Sequence, residues 1–269
     1  MGSRGHRLPD SLFAGSAILG LIFGDDTEEK LLQTVHALRE MGYSSLQFSG
    51  DKHGPDTIRR TISETGLPVV LTHVPMDRII NDTDALMEEH ASFGCYNIGL
   101  GGMDPRITAD RDRCYSTLEQ LERAGERMAE KGFSFFYHHH HFEFLKHDGE
   151  TVFDYIIRTA PHINFTLDTY WLQYGGVDVC QTIERLRGRI RCVHLKDYRI
   201  EAKWDEKGNV KLEPVFAPIG DGTMDFAAIL PKAREAGAEH FLVEQDNASD
   251  MKDPFAQVER SIRYLNTHF

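Results

Sequence analysis

Four consecutive histidines and a glutamate stand together in the segment YHHHHFEF, residues 137–144. Imidazoles titrate near neutral pH and bind metal ions, so the segment is suited to acid–base or metal chemistry. It follows an apolar run, which is typical of the end of a β-strand. Side chains alternate along an extended chain, so His138 and His140 share one face, which we expect to face a site. His139 and His141 then point to the other face, and the sequence assigns them no role.

Polar side chains close other strand-like runs as well. In chain order these residues are Gln47, His73, Glu143, Asp168, His194 and Glu244. The last four close four consecutive strands, and charged groups brought together there would repel unless something neutralised them. Three carboxylates and one imidazole form a mixed oxygen and nitrogen ligand set for one divalent cation. Mn²⁺ is the expected ion, and Mg²⁺, Co²⁺, Fe²⁺ or Zn²⁺ would also fit.

Single members of this set also have a purely structural interpretation. A histidine that closes a strand, such as His73, is often a hydrogen-bonded structural residue. Asp168 could cap a helix, and Trp171 could cover the rim of a barrel. The metal interpretation therefore depends on a fold that brings the whole set together.

Strand-like apolar runs alternate with helix-period runs along the chain. The strands are predicted at 17–23, 43–48, 68–73, 95–100, 133–138, 163–168, 190–195 and 240–244. Helix signals lie between them. Thr27 can cap the first helix and Gly42 can end it, and Asp253 can cap the last.

Eight strands, each followed by a helix, predict an α/β fold with a single (β/α)8 barrel over residues 1–269. Residues 1–13 are expected to be disordered or foreign to the native chain. The polar stretch 198–224 is an insertion after the seventh strand, with DEKGN, 205–209, as a hairpin tip and a role as lid or subunit contact. An open doubly wound sheet is the alternative, but no GxGxxG or GxxxxGK[ST] motif follows the first strand. In a barrel, polar residues at strand ends meet at one mouth.

Composition narrows the class of partner. The formal net charge of −12 argues against a nucleic-acid partner and fits a small neutral sugar. The four cysteines match no zinc pattern, which indicates reduced thiols. No apolar run reaches the ~18 residues of a membrane helix, and the start of the sequence lacks a signal-peptide core. We therefore expect a cytoplasmic protein without a membrane partner.

Five ordered segments resemble motifs of the sugar phosphate isomerase/epimerase family, the xylose isomerase-like TIM barrels. They are YHHHHFEF (137–144), FTLDTYWLQYGGVD (165–178), VHLKDY (193–198), FAPIGDGTMDF (216–226) and FLVEQD (241–246). The first motif of the family reads YHNHDFEF, so this sequence differs at His139 and His141.

The resemblance implies site residues as well as a fold. The implied metal ligands are Glu143, Asp168, His194 and Glu244. The substrate-binding positions are His73, His138, His140, Trp171 and Lys196, and Gln47 at the end of the second strand is added to them. His138 or His140 could also reach the metal in place of Glu143.

The activity implied by the resemblance is proton abstraction next to the carbonyl of a sugar, keto sugar or sugar phosphate, through an enediolate that the metal stabilises. Glu143 and Glu244 would be the catalytic pair, with His138 or His140 as competing acid–base groups. Return of the proton gives an isomerase or epimerase, which is our prediction. Loss of a β-substituent gives the alternative, a lyase or dehydratase that acts on a 3-keto sugar or inosose.

Two other classes of protein are weighed against this enzyme. An endonuclease IV-like phosphodiesterase shares the barrel but needs a richer, multi-zinc site and a basic groove, which the net charge disfavours. A non-catalytic sugar-binding protein would not need an intact ligand set. The expected partner is a small-molecule carbohydrate, and a homo-oligomer is compatible with the sequence.

Overall fold

Eight parallel strands form a closed barrel in the computed structural model, which describes residues 15–19, 27–50 and 53–269. The barrel strands are Gly15–Leu19, Ser45–Ser49, Val69–His73, Asn97–Leu100, Ser134–His138, Ile163–Asp168, Cys192–Leu195 and His240–Val243. The first strand pairs with both the second and the eighth, which closes the ring. This closure confirms the (β/α)8 barrel and excludes the open sheet. The predictions for residues 1–13 and 20–23 lie outside the described residues.

Helices surround the barrel. They are Glu28–Met41, Pro55–Thr65, Met76–Asn81, Thr83–Ser92, Pro105–Thr108, Arg111–Glu130, Val152–Thr159, Thr169–Tyr174, Val179–Arg185, Phe226–Glu235 and Pro254–His268. The predicted caps are confirmed, because Thr27 accepts from Lys30 N and Gly42 ends its helix at φ 101°. Asp110 caps the long helix Arg111–Glu130 by accepting a hydrogen bond from Arg113 N. No described helix is long and apolar enough to cross a membrane.

Along each strand, apolar side chains point alternately into the barrel interior and out towards the helix layer. Phe135 and Tyr137 of the fifth strand pack in the large cluster beneath the helices. Phe136 points inward and shares a small interior cluster with Leu71, Cys192 and Leu242. The residue two positions after each member of this interior cluster is a predicted site residue. These residues are His73, His138, His194 and Glu244. Strand periodicity therefore places all four above the interior plug, at the carboxyl end of the barrel.

The predicted insertion contains an antiparallel hairpin of Asp197–Trp204 with Val210–Ala217, and DEKGN lies at its tip as predicted. Buried Asp197 ties the hairpin to the following loop. Its carboxylate accepts hydrogen bonds from the backbone N–H groups of Tyr198, Gly220, Gly222 and Met224. A shorter hairpin, Lys146–His147 with Glu150–Thr151, follows the fifth strand.

Replacing Gly222 with Ala tests this anchor. A Cβ there would overlap the Asp197 carboxylate and the Tyr198 carbonyl, so we expect a loss of about 1–3 kcal/mol in the free energy of unfolding. Glu126→Ala is the control, because this side chain is exposed on the helix Arg111–Glu130, and it should change stability by no more than about 0.5 kcal/mol. Urea denaturation measures both. Equal stability of the two variants would contradict the assigned anchor.

Candidate metal centre and active site

Four buried side chains converge at the ends of the fifth to eighth barrel strands. They are His138, Asp168, His194 and Glu244. One ligand atom from each lies within 4.8 Å of the others. Two imidazoles and two carboxylates make a mixed set that suits a first-row divalent cation.

The imidazole of His138 is oriented by a backbone carbonyl. Its Nδ1 lies 3.0 Å from the carbonyl oxygen of Gly101, which can only accept, so Nδ1 carries a proton. Nε2 faces Asp168 Oδ2 at 3.3 Å. A carbonyl that holds the remote N–H is a common second contact of a metal-binding histidine. Nε2 is therefore the atom that His138 offers to the cluster.

The imidazole of His194 is oriented by Gln47. The ring Nε2 donates to Gln47 Oε1 at 2.8 Å, while the amide nitrogen of Gln47 lies 3.2 Å from His73 Nδ1. This leaves His194 Nδ1 as the unprotonated nitrogen. It is buried and forms no hydrogen bond with a described residue, although it lies 2.8 Å from Glu244 Oε2. Two lone pairs that face each other at this distance repel, and a cation between them removes the repulsion. The orphaned nitrogen thus fits a metal site.

The carboxylates around Lys196 outnumber the positive charge that it supplies, which favours binding of a cation. Its buried ammonium lies 3.3 Å from Asp168, 2.9 Å from Glu244 and 3.0 Å from Asp246. Burial opposes ionisation of Asp168, but Lys196 and His138 lower its pKa to about 2. Three carboxylates against one ammonium leave an excess of two negative charges when all three are ionised. One divalent cation balances that excess.

The protonation of His138 responds to the same field. Burial lowers the pKa of an imidazole, yet the adjacent Asp168 and Glu244 outweigh burial and raise the pKa of His138 above its ordinary value. The site thus favours positive charge at Nε2. A bound cation would take the place of that proton.

Glu143 lies outside the group of four, which contains His138, one of the two histidines predicted as its alternatives. Both carboxylate oxygens of Glu143 are engaged, because Oε1 accepts from the Tyr137 hydroxyl at 2.7 Å and Oε2 from His140 N at 2.8 Å. Tyr137 faces the helix layer, and the one-turn helix Phe142–Phe144 carries Glu143 to that side. Burial raises the pKa of Glu143 to about 7 despite these hydrogen bonds.

The histidine run alternates as predicted, and His139 has a role that the sequence did not reveal. His138 and His140 line the cavity. His139 points the other way, packs 5.2 Å from the Phe153 ring and accepts a hydrogen bond from Asp168 N at 3.1 Å. His141 is exposed and stacks on Trp171 at the rim. His139 therefore holds the backbone of a candidate ligand in place.

The cluster opens into a cavity of about 800 Å³. Its described walls include the site residues His73, His138, His140, Lys196, Glu244 and Asp246. Buried His73 Nε2 and His140 Nδ1 have no described hydrogen-bond partner, so both can bind substrate hydroxyls. Burial lowers the pKa of His73 and lowers that of His140 to about 2, so both rings are neutral.

Two residues predicted to bind substrate lie beside the cavity. Gln47 is buried beneath the histidines that it orients, and the Trp171 ring packs 5.3 Å from the Lys196 ammonium. Asp246 lines the cavity, but our predicted site omitted it. Strand alternation was the available signal, since Asp246 follows Glu244 by two residues.

Comparison with known proteins identifies relatives of this barrel. A family model described as a xylose isomerase-like TIM barrel matches residues 35–268. The inosose dehydratase of Geobacillus thermodenitrificans is 31% identical over 156 residues, 55% of this chain and 52% of that protein. The inosose dehydratase of Geobacillus kaustophilus is 25% identical over 272 residues, 87% of this chain and 86% of that protein. The chain therefore spans about half of the first relative and most of the second.

Solved structures share the fold at lower sequence identity. A sugar phosphate isomerase/epimerase from Parabacteroides distasonis superposes with a TM-score of 0.77 at 21% identity, covering 97% of this chain and 96% of that one. A xylose isomerase-like TIM barrel protein from Mycobacterium smegmatis, in complex with magnesium, has a TM-score of 0.66 at 14% identity and covers 94% of this chain and 95% of that one.

Metal content distinguishes the two ligand sets. We expect one divalent ion per wild-type chain after dialysis against Mn²⁺, and loss of that ion in His138→Ala, because Nε2 is one of the four clustered atoms. Glu143→Gln should keep the ion, since Glu143 lies outside the cluster. Elemental analysis of variants with unchanged circular dichroism gives the answer. If His138→Ala retained the metal ion and Glu143→Gln lost it, Glu143 and not His138 would be the ligand.

Gln47 should control metal affinity without touching the metal. Gln47→Leu removes the acceptor that fixes the His194 ring, and we expect Mn²⁺ affinity to fall by about 10–100-fold. Gln47→Glu keeps an acceptor for His194 Nε2 and should retain most of the affinity. Titration calorimetry compares the two variants. Wild-type affinity in Gln47→Leu would show that His194 needs no such support.

Proposed function

The chain belongs to the xylose isomerase-like TIM barrel family, and from this premise we propose that it is a metal-dependent dehydratase of an unphosphorylated keto sugar or keto polyol. The orphaned Nδ1 of His194, facing Glu244 beside a cavity of about 800 Å³, carries the proposal. The relatives named inosose dehydratase support loss of water as the reaction.

The ligand set in this proposal is His138 Nε2, Asp168, His194 Nδ1 and Glu244, and Mn²⁺ is the expected ion. When bound, the ion supplies Lewis-acid stabilisation of negative charge that develops on substrate oxygens. A magnesium complex of a protein with the same fold supports a divalent ion of this class.

Glu244 is the proposed base. Burial opposes its ionisation, but the adjacent Lys196 ammonium outweighs burial and holds the pKa of Glu244 well below the ordinary value, so it is ionised at neutral pH. It lines the cavity and would accept the proton from the carbon next to the substrate carbonyl. The electrons of that C–H bond first pass to the carbonyl oxygen as an enolate, and they form the new carbon–carbon double bond when the β-hydroxyl leaves.

Asp246 is the proposed acid. Burial and the nearby Glu244 raise the pKa of Asp246 to about 6, so part of the population holds a proton at neutral pH. That proton would pass to the leaving hydroxyl, which departs as water and leaves a conjugated enone. Lys196, in contact with Asp246 and Glu244, would hold the leaving oxygen or the carbonyl oxygen. His73 and His140 are neutral hydrogen-bond partners for other hydroxyls.

Isomerisation or epimerisation is the second candidate. It needs a group that returns a proton, and the predicted pair for this exchange was Glu143 with Glu244. Because Tyr137 and the backbone of His140 hold Glu143, the groups in the cavity that could return a proton include Asp246, Lys196 and the imidazoles. A neutral His73 or His140 can still exchange a proton, which keeps this reaction as the alternative.

The charge of the cavity favours a substrate without phosphate. Lys196 is the one cationic side chain among the described lining residues, and three carboxylates already surround it. In the metal-loaded site, the divalent cation and Lys196 are already balanced by those three carboxylates, so no positive charge is left over to pair with a phosphate group. A neutral polyhydroxylated ketone needs no such partner.

Two variants separate proton removal from loss of water. With an inosose as probe in D₂O, the wild type should form an enone that absorbs in the ultraviolet. Asp246→Asn should slow enone formation by about 10²–10⁴-fold while deuterium still enters the substrate and the metal is retained. Glu244→Gln should abolish both processes, and the exposed Glu239→Gln is the control that should change neither.

The second candidate predicts a different product from the same experiment. A wild type that introduces deuterium into a rearranged sugar without losing water would be an isomerase or epimerase. Enone formed at the wild-type rate by Asp246→Asn would exclude Asp246 as the acid.

A further inference from the structure

The hairpin of Asp197–Trp204 with Val210–Ala217 has one apolar face. Side chains alternate along each strand, and residues paired directly across share a face. The register pairs Ile200 with Pro214, Ala202 with Leu212, and Trp204 with Val210. These six side chains therefore lie together, and we call them the apolar ribbon face.

The opposite face of the hairpin is charged and internally paired. It carries Arg199, Glu201, Lys203, Lys211 and Glu213. Lys203 pairs with Glu213 at 2.9 Å, Lys211 also pairs with Glu213, and Arg199 pairs with Glu201. This face can remain in water at little cost. One apolar face and one charged face are typical of an antiparallel ribbon that packs one face and leaves the other in water.

The root of the apolar ribbon face is already buried within the chain. Tyr198 and Phe216 are paired directly across the hairpin, and by alternation their side chains lie on the same face as the six residues. Their rings pack against Tyr170, at 5.1 Å and 4.8 Å. The outer part has no such cover among the described residues. Its four large side chains are Ile200, Trp204, Val210 and Leu212, which are 55%, 69%, 48% and 67% exposed.

Such exposure is costly for a lone hairpin. Two-stranded hairpins are marginally stable in water unless a face is packed. The four side chains present an apolar patch on the order of 500 Å², near the upper end of what monomers expose. A covering surface is therefore expected on energetic grounds.

We propose that the apolar ribbon face is a dimer interface, which packs against the same face of a second copy of this chain across a twofold axis. A face with apolar residues at its centre is complementary to itself, as an isologous contact requires. Two faces together would bury on the order of 1,000 Å², the lower bound for a specific interface. This interface is independent of the reaction proposed above.

Local charge permits this approach. The chain carries a net charge of −12, so two copies repel each other over most of their surface. The six side chains of the apolar ribbon face are all uncharged. Two copies that meet through this face therefore bring no like charges into direct contact.

Two matched double variants test the interface. Trp204→Ser with Leu212→Ser removes the two most exposed apolar side chains, whereas Lys203→Ser with Lys211→Ser alters the adjacent positions on the charged face. We expect a dimer for the wild type and for the lysine variant. The dimer dissociation constant should rise at least about 100-fold in the apolar-face variant. Analytical ultracentrifugation over a range of concentrations measures this constant, with circular dichroism as the control for folding.

Tryptophan fluorescence gives an independent measurement on the intact fold. The chain has two tryptophans, Trp171 and Trp204, so the difference between wild type and Trp204→Phe isolates Trp204. Its emission should shift to the blue as concentration rises through the dimer dissociation constant.

Three outcomes would overturn the proposal. One is a wild type that stays monomeric at near-millimolar concentration with unshifted Trp204 emission. Another is a dimer that both double variants leave equally stable. The third is a monomer that sediments with phosphatidylserine vesicles through the apolar ribbon face, which would assign that face to a lipid surface.

Discussion

The buried negative charge of Asp168 and Glu244 is the constraint on which the site depends. Buried carboxylates are costly unless they are paired. Lys196 pairs with both, yet Asp246 shares that ammonium and leaves an excess of negative charge. A divalent cation within the cluster restores the balance. The orphaned nitrogen of His194 lies at the same place, so the electrostatic and the hydrogen-bonding arguments lead to the same ion.

The rest of the barrel prepares the ligands for that ion. The interior apolar plug places the site residues two positions further along their strands. Hydrogen bonds to the ring nitrogens that face away from the cluster then fix the orientation of each imidazole. The Gly101 carbonyl accepts from His138, and the Gln47 side chain accepts from His194. His139 supports the backbone of Asp168 from the opposite face. Both imidazoles therefore already direct a nitrogen at the cluster, so a cation could bind without reorienting either ring.

Strand-level features were predictable from the sequence, and features beyond the strand ends were not. Periodicity located the strands, and three of the four clustered residues follow from reading each strand to its end. Glu143 lies outside the cluster because it stands five residues beyond the fifth strand, where a one-turn helix replaces the alternation, and its role as a ligand stays a prediction. Gln47 was expected to touch substrate, but its distance from the cavity depends on packing across the barrel. No periodicity in one strand reveals a contact of that kind.

The most direct measurement is anomalous X-ray diffraction from crystals grown with Mn²⁺. We expect one anomalous peak per chain, bonded at about 2.2 Å to His138 Nε2, His194 Nδ1, Asp168 and Glu244. Glu143 should remain hydrogen-bonded to Tyr137. A peak coordinated by Glu143, with His138 turned away, or no peak at the barrel mouth, would contradict this expectation.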